Sequence, residues 1–291
     1  MIRAASTQFH VRIDGAGETI PCGLRGKLKK EWQRVTALVV VGDRVVVARP
    51  EGGGGVIERI EERRNKFSRP GFHGYEHVVA ANVDQMLVVV SAVSPPFKPN
   101  LVDRFLVHAR GQDVAPLVAL NKCDLEEDAR IEEAIARFQD PDLFVLTSAR
   151  TGRGVEEIRA RLAGKTTVLL GQSGVGKTTL LHALSPGVDA RTQGISVSNK
   201  GKHTTTASTA YDVPGGGILI DTPGMKGLGV WAADEAEASG AFPEIEEHAG
   251  RCRFRDCRHD REPGCAVKEA LEAGVIDARN YRSFVRIRRG A

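Results

Sequence analysis

Residues 171–179, GQSGVGKTT, set glycines, a lysine and a hydroxyl at the spacing GxxxxGK[ST]. Glycine lets successive backbone N–H groups close on a phosphate, and a following helix adds its positive end. Phosphate contacts are expected from Gly171, Gln172, Ser173, Gly174, Val175, Gly176, Lys177, Thr178 and Thr179. Lys177 should reach the β- and γ-phosphates, and the Thr178 hydroxyl should ligate the Mg²⁺ carried with the nucleotide. An apolar run, TTVLLG, precedes the loop and a helix-like LLHAL follows it. That context argues against a chance glycine turn.

A second group selects the base. In NKCD, 121–124, Asp124 can accept from both the N1–H and the exocyclic amine of guanine, a donor pair that adenine lacks. Asn121 can bond the ring edge and tie loops together, the Lys122 stem can pack along the base, and Cys123 fills the free position as a buried side chain. TSA at 147–149 follows the next apolar run, so Ser148 and Ala149 can back the same base. Four residues are a weak signal alone, the competing reading being a polar turn after a strand. DTPG at 221–224 ends a further run; Asp221 should hold Mg²⁺ through a water, and the Gly224 N–H should meet the γ-phosphate. The threonines of GKHTTT, 201–206, offer the other switch, with Thr205 expected to complete the Mg²⁺ shell; plain β-propensity also explains a threonine run.

A third group is CRFRDCRHDREPGC. Cys252, Cys257, His259 and Cys265 supply three thiolates and one imidazole, the count of a closed structural zinc site with one ion per chain. The spacing is not the paired C-x-x-C type. Buried cysteines near a surface histidine are the competing reading, and the crowd of charged neighbours counts against it.

The elements that must hold these groups are short continuous apolar runs: DQMLVVVSAV, APLVALN, DLFVLTSA, TTVLLG and GILIDTPG. Each ends in a polar loop, and helix-like stretches separate most of them. This describes buried parallel strands of an α/β sheet with ligand loops at their C-terminal ends. In chain order the loops run base reader, base support, phosphate loop, first switch, second switch. That is a nucleotide-binding fold cut and rejoined with its cyclic order kept, and it puts the second switch directly before the C-terminal segment.

Residues 1–70 instead show short strands, FHVRI, TIPCGL, DRVVVARP and GVIERI, spaced as in a small barrel. Residues 71–82 read as a linker, 83–230 as the permuted domain and 231–291 as a mostly helical zinc-binding segment. The 291-residue chain carries 14 Lys/Arg against 8 Asp/Glu over 1–75, 16 against 20 over 76–241, and 11 against 9 over 242–291. Basic flanks around an acidic middle suggest nucleic-acid contact at the ends. RGKLKKEWQR, with Arg25, Lys27, Lys29, Lys30 and Arg34 around one tryptophan, is either an RNA-facing loop or a solvated charged one. No apolar run approaches a membrane span and the first residues lack a signal-peptide pattern, so a cytosolic protein without membrane contact is expected.

These residues together resemble the circularly permuted ribosome-associated GTPases of the RsgA (YjeQ) family. RGKLKKE, VGDRV, ANVDQ, NKCDL, TSARTGRG, GQSGVGKTTL, GKHTTT, DTPGM, FPEI and FRDCRHDREPGCAV fall in family order along nearly the whole chain. The resemblance implies an N-terminal OB-fold β-barrel, a permuted P-loop GTPase domain and a zinc domain. It also implies GTP hydrolysis during late maturation of the small ribosomal subunit, rRNA contacts near the decoding region, activation by the subunit, and a monomer. Met225 stands where a water-orienting glutamine is usual, and the resemblance points to His203 in its place; the plainer reading is that His203 shapes its loop. Two other classes compete. An RNA-binding scaffold that senses GTP without turnover differs by its hydrolysis rate, and a P-loop ATPase is opposed by NKCD.

Overall fold

A computed structural model describes residues 3–5, 8–14, 16, 18–26, 28, 38–50, 53–70, 76–138, 140, 142–186, 208–222 and 242–289. His203, Thr205, Gly224, Lys27, Lys29, Lys30 and Arg34 lie outside them.

The N-terminal segment forms β1 (Arg3–Ala5), β2 (Gln8–Arg12), β3 (Thr19–Leu24), β4 (Val45–Ala48) and β5 (Gly55–Ile60). Period-two patterning explains which face turns inward. Phe9 and Val11 of β2 and Ile20, Cys22 and Leu24 of β3 alternate with exposed or half-buried residues and close on Ile57. The strands lie in the order β1-β2-β3-β5-β4, and only the β3–β5 pairing is parallel. This is a half-barrel sheet in which the chain skips a place to bring β5 beside β3. Asp43, fully buried, is held by Arg63 at 2.7 Å and accepts from the Val40 N–H, which fixes the approach to β4.

Residues 76–81 of the expected linker form β7 (Glu76–Ala81), an antiparallel partner of β6 (Lys66–Pro70). Phe67 of β6 and Ala80 of β7 are fully buried in the main core.

Next come β8 (Gln85–Ser91), α1 (Pro99–Gly111), β9 (Ala115–Asn121), α2 (Asp128–Ile135), β10 (Phe144–Leu146), α3 (Val155–Leu162), β11 (Thr166–Gly171), α4 (Lys177–Leu184), β12 (Thr209–Val213) and β13 (Gly217–Asp221). Strands β10, β9, β8, β11 and β13 are parallel neighbours in that order. Every residue of β8 is buried, as a strand covered on both faces requires. Met86, Val88 and Val90 pack on one face with Val102, Phe105 and Ala109 of α1. Leu87 and Val89 pack on the other with Ile158 and Leu162 of α3 and Leu180 and Leu184 of α4. Register aligns the strand ends: Ser91 sits opposite Asn121, Val89 opposite Gly171, and Leu169 opposite Asp221. Base loop, phosphate loop and Asp221 thus emerge at one edge.

One pairing goes beyond the sequence reading. β12 lies antiparallel to β13, and β1 pairs with β12 at Arg3 and Thr209, so the half-barrel and the nucleotide sheet form one sheet of eleven strands. An edge strand such as β12 presents unpaired N–H and C=O groups, and β1 satisfies some of them. Arg12 and Asp212 add an ion pair at 2.7 Å across the seam.

The C-terminal segment forms α5 (Pro243–Ala249), α6 (Ala266–Glu272) and α7 (Ala278–Arg288), with Asp277 capping the Arg279 and Asn280 N–H groups of α7. Its core of Phe242, Ile245, Val267, Phe284 and Ile287 includes Val107 of α1. The buried Ser283 hydroxyl donates to buried Asp103 of α1 at 2.5 Å. No helix among the described residues is long and apolar enough to cross a membrane.

Candidate nucleotide site and metal centre

The phosphate loop leaves β11 at Gly171 and enters α4 at Lys177. Val175 is buried beneath the loop, Gln172 and Lys177 are half-buried, and Ser173, Gly174, Thr178 and Thr179 are exposed. The Lys177 ammonium donates to the carbonyls of Gly171 at 2.5 Å and Gln172 at 2.6 Å. Its cation is therefore folded over the loop mouth, where a polyphosphate can take it from those carbonyls.

Asn121 joins the loops. Its side-chain amide donates to the Val175 carbonyl at 2.9 Å, and its side-chain carbonyl accepts from the Ala149 N–H at 3.0 Å. One side chain, 2 % exposed, thus ties base loop, base support and phosphate loop together. Lys122, at φ +65°, donates to the Gly174 carbonyl at 2.6 Å and to the Ser94 carbonyl of the loop after β8. Cys123 is buried as expected and points its thiol to the Leu120 carbonyl at 2.9 Å; burial raises its pKa. Asp124 is held below the ordinary carboxylate range, first by the Ser148 hydroxyl and then by Arg150. The Arg150 guanidinium sits 2.8 Å from it. The sequence reading missed Arg150, whose only signal is its place directly after Ala149.

Gly176 cannot be exchanged without disturbing this arrangement. Its φ is +94°, and a Cβ built there would lie 2.4 Å from the Asn121 amide nitrogen. Asn121 is bonded at both ends of its side chain and has little room to yield. Gly176→Ala is expected to weaken GDP binding about tenfold or more, the strain being worth on the order of 1–3 kcal/mol. Titration with a fluorescent GDP analogue checks this; unchanged affinity would mean that the Asn121 bridge is dispensable.

Asp221 ends β13 beside the phosphate-loop strand, and Thr222 follows it into a buried position. Asp221 at the end of β13 and the exposed Thr178 in the first turn of α4, the helix that follows the adjacent strand β11, offer oxygen donors of the hard type that Mg²⁺ takes.

Cys252, Cys257, His259 and Cys265 converge so that their ligand atoms all lie within 4.8 Å of one another. Cys252 Sγ is 3.9 Å from Cys265 Sγ and 3.4 Å from His259 Nδ1, and Cys265 Sγ is 3.5 Å from the same nitrogen. A tetrahedral zinc with bonds of about 2.3 Å to sulfur and about 2.0 Å to nitrogen sets S···S near ~3.8 Å and S···N near ~3.5 Å. The donor set fits. Burial pushes the Cys257 thiol up to about 12 and raises Cys265 as well, so thiolates here would need a dication to become favourable. The loop is shaped by Glu262, whose carboxylate accepts from the N–H groups of Arg258, Asp260 and Arg261 at 3.0–3.1 Å. Hydrogen bonds from its own N–H and then from these hold its pKa down to about 2. The Tyr281 hydroxyl donates to the His259 carbonyl at 2.6 Å, tying the loop to α7. Neither Glu262 nor Tyr281 was marked by the ligand pattern.

Of the expected RNA-facing residues, Arg25 alone is described. It is exposed and pairs with Glu58 at 3.0 Å, a surface contact of small energy that a phosphate can replace.

A family model described as RsgA GTPase matches residues 60–231. The chain is 41% identical over 274 residues to the Small ribosomal subunit biogenesis GTPase RsgA of Azotobacter vinelandii, covering 92% of this chain and 77% of that protein. It is 39% identical to the protein of the same name from Haemophilus influenzae, covering 97% and 82%. Among solved structures it is similar to YjeQ from Thermotoga maritima, with a TM-score of 0.79, 34% identity and coverage of 99% and 95% of the two chains. YloQ, described as a circularly permuted GTPase, follows with a TM-score of 0.74, 32% identity and coverage of 99% and 92%.

Proposed function

The chain belongs to the RsgA GTPase family, and from that premise we propose that it hydrolyses GTP to GDP and phosphate as a switch in late maturation of the small ribosomal subunit. The Asn121 bridge carries this reading. It brings base loop, base support and phosphate loop into one site although their chain order is permuted. Asp124 then reads guanine, Lys177 and the loop N–H groups hold the phosphates, and Thr178 and Asp221 hold Mg²⁺. That ion neutralises charge on the phosphate oxygens when bound.

His203 is proposed to position the attacking water, since Met225 has no strong donor or acceptor, with Thr205 and Gly224 serving as switch contacts. The strand order β1-β2-β3-β5-β4 with its single parallel pairing supports an OB-fold barrel over residues 1–70. A zinc-holding helical segment over 231–291 is supported by the ligand spacing. Both flanks are proposed to touch rRNA: the N-terminal one through Arg25, Lys27, Lys29, Lys30 and Arg34, the C-terminal one through its arginines.

The test is GTP hydrolysis with and without purified small subunits. Stimulation by the subunit, with GTP preferred over ATP, is expected. In single-turnover measurements with saturating subunits, His203→Ala should bind GTP normally and hydrolyse it about 10²-fold more slowly. Absence of stimulation in the natural chain would refute the switch. A loss below about threefold in the variant would assign His203 to loop shape.

A further inference from the structure

We propose that Phe254 is a stacking platform for one unpaired RNA nucleobase; this rests on the RNA-contact reading of the C-terminal segment and specifies its chemistry. Phe254 lies between the ligands Cys252 and Cys257 and is 41% exposed, one of three large hydrophobic side chains so exposed among the described residues. Its surroundings are not apolar. Arg251, Arg253, Arg255, Arg258 and Arg261 all lie within the eleven residues 251–261 and are exposed, against Asp256 and Asp260.

The position is built rigidly. The Cys257 N–H donates to the Phe254 carbonyl at 3.3 Å, and the Arg253 N–H donates to the Gly264 carbonyl at 3.0 Å. The Arg253 stem lies over Gly264, so close that a Cβ there would be 3.2 Å from Arg253 Cβ. The Arg253 guanidinium is 5.6 Å from the Phe254 ring centroid. An aromatic face beside a guanidinium, in a segment that carries four further exposed arginines, matches a flat base and the phosphates on either side of it. An apolar protein pocket closing on this ring would have to desolvate the Arg253 guanidinium beside it. A duplex keeps its bases stacked inside and offers the ring no face. The charge therefore favours a single-stranded nucleotide.

The experiment uses the full zinc-loaded chain and fluorescein-labelled octauridylate, read by anisotropy, beside an RNA duplex of equal length. Phe254→Ala is expected to raise the Kd for octauridylate about tenfold. Phe254→Trp should stay near the natural affinity, duplex binding should change by less than about twofold, and zinc should remain at one per chain. Unchanged octauridylate affinity in Phe254→Ala overturns the proposal, as does an equal loss for the duplex or failure of the natural chain to bind octauridylate. If Phe254→Ala weakens small-subunit binding but not octauridylate binding, the ring contacts protein, and the proposal is likewise wrong. Subunit-stimulated GTP hydrolysis by the natural chain, measured alongside, tests the parent reading separately. That reading survives if stimulation persists while the stacking result fails.

Discussion

Cys257→Ser is expected to purify without zinc and with a loosened C-terminal segment, while its nucleotide site still binds GDP. The thiol is a donor to a cluster whose spacings already match a tetrahedral ion, so losing it leaves three ligands where a closed structural site needs four. The consequence spreads because the metal loop is part of a core. Cys257 and Cys265 are buried with Phe242, Val267, Phe284 and Ile287, and Tyr281 grips the His259 carbonyl. So few apolar residues make a small core, and metal binding of about 10–16 kcal/mol in isolated zinc peptides is also folding energy. Elemental analysis should give one zinc per natural chain and none for the variant. Hydrogen exchange should show lost protection across 242–289 and retained protection in β8, β9 and β11. The site assignment fails if the variant keeps its zinc or if the natural chain is metal-free and equally protected.

Asp124→Asn should lose guanine affinity by about 2–4 kcal/mol, roughly 30- to 1,000-fold, because one acceptor becomes a donor facing the base's own donors. The Ser148 hydroxyl and Arg150 keep the natural carboxylate ionised well below neutral pH, so guanine binding should be flat across the neutral range. Its sign is set by the lowered pKa: the charged form persists until pH falls below the ordinary carboxylate range. Isothermal titration with GDP at several pH values measures both effects. GDP affinity equal to that of the natural chain would remove Asp124 as the base reader. The phosphate loop should still hold inorganic polyphosphate in the variant, which separates base reading from misfolding.

The nucleotide site was legible because its chemistry is local. Backbone groups that cradle a phosphate need glycines at a set spacing within nine residues, and each ligand loop directly follows an apolar run that can only be a buried strand. The cluster of three cysteines and a histidine was legible for a similar reason: a closed metal site formed from one short loop must have its ligands close in sequence. The partners of those residues were not. Arg150 meets Asp124 across a gap of 26 residues, and Glu262 and Tyr281 hold the metal loop through backbone groups that no residue pattern encodes.

Sequence alone determined which residues can read a base, cradle a phosphate or ligate a metal and in which cyclic order they come, since residue type and short-range spacing suffice for that. Three things were decided only in the tertiary structure. Asn121 was expected to tie loops together, but its partners, the Val175 carbonyl 54 residues ahead and the Ala149 N–H, were not given by its residue type. Residues 76–81, within the expected linker, pair as β7 with β6, whose Phe67 is buried in the core shared with the nucleotide sheet. Strand β1 joins β12, making one sheet of the half-barrel and the nucleotide-binding strands. Each is a contact between segments far apart in the chain. Hydrogen-bonding edges and apolar faces are not specific to a partner, so their pairing is settled by which surfaces remain uncovered once the sheet has formed.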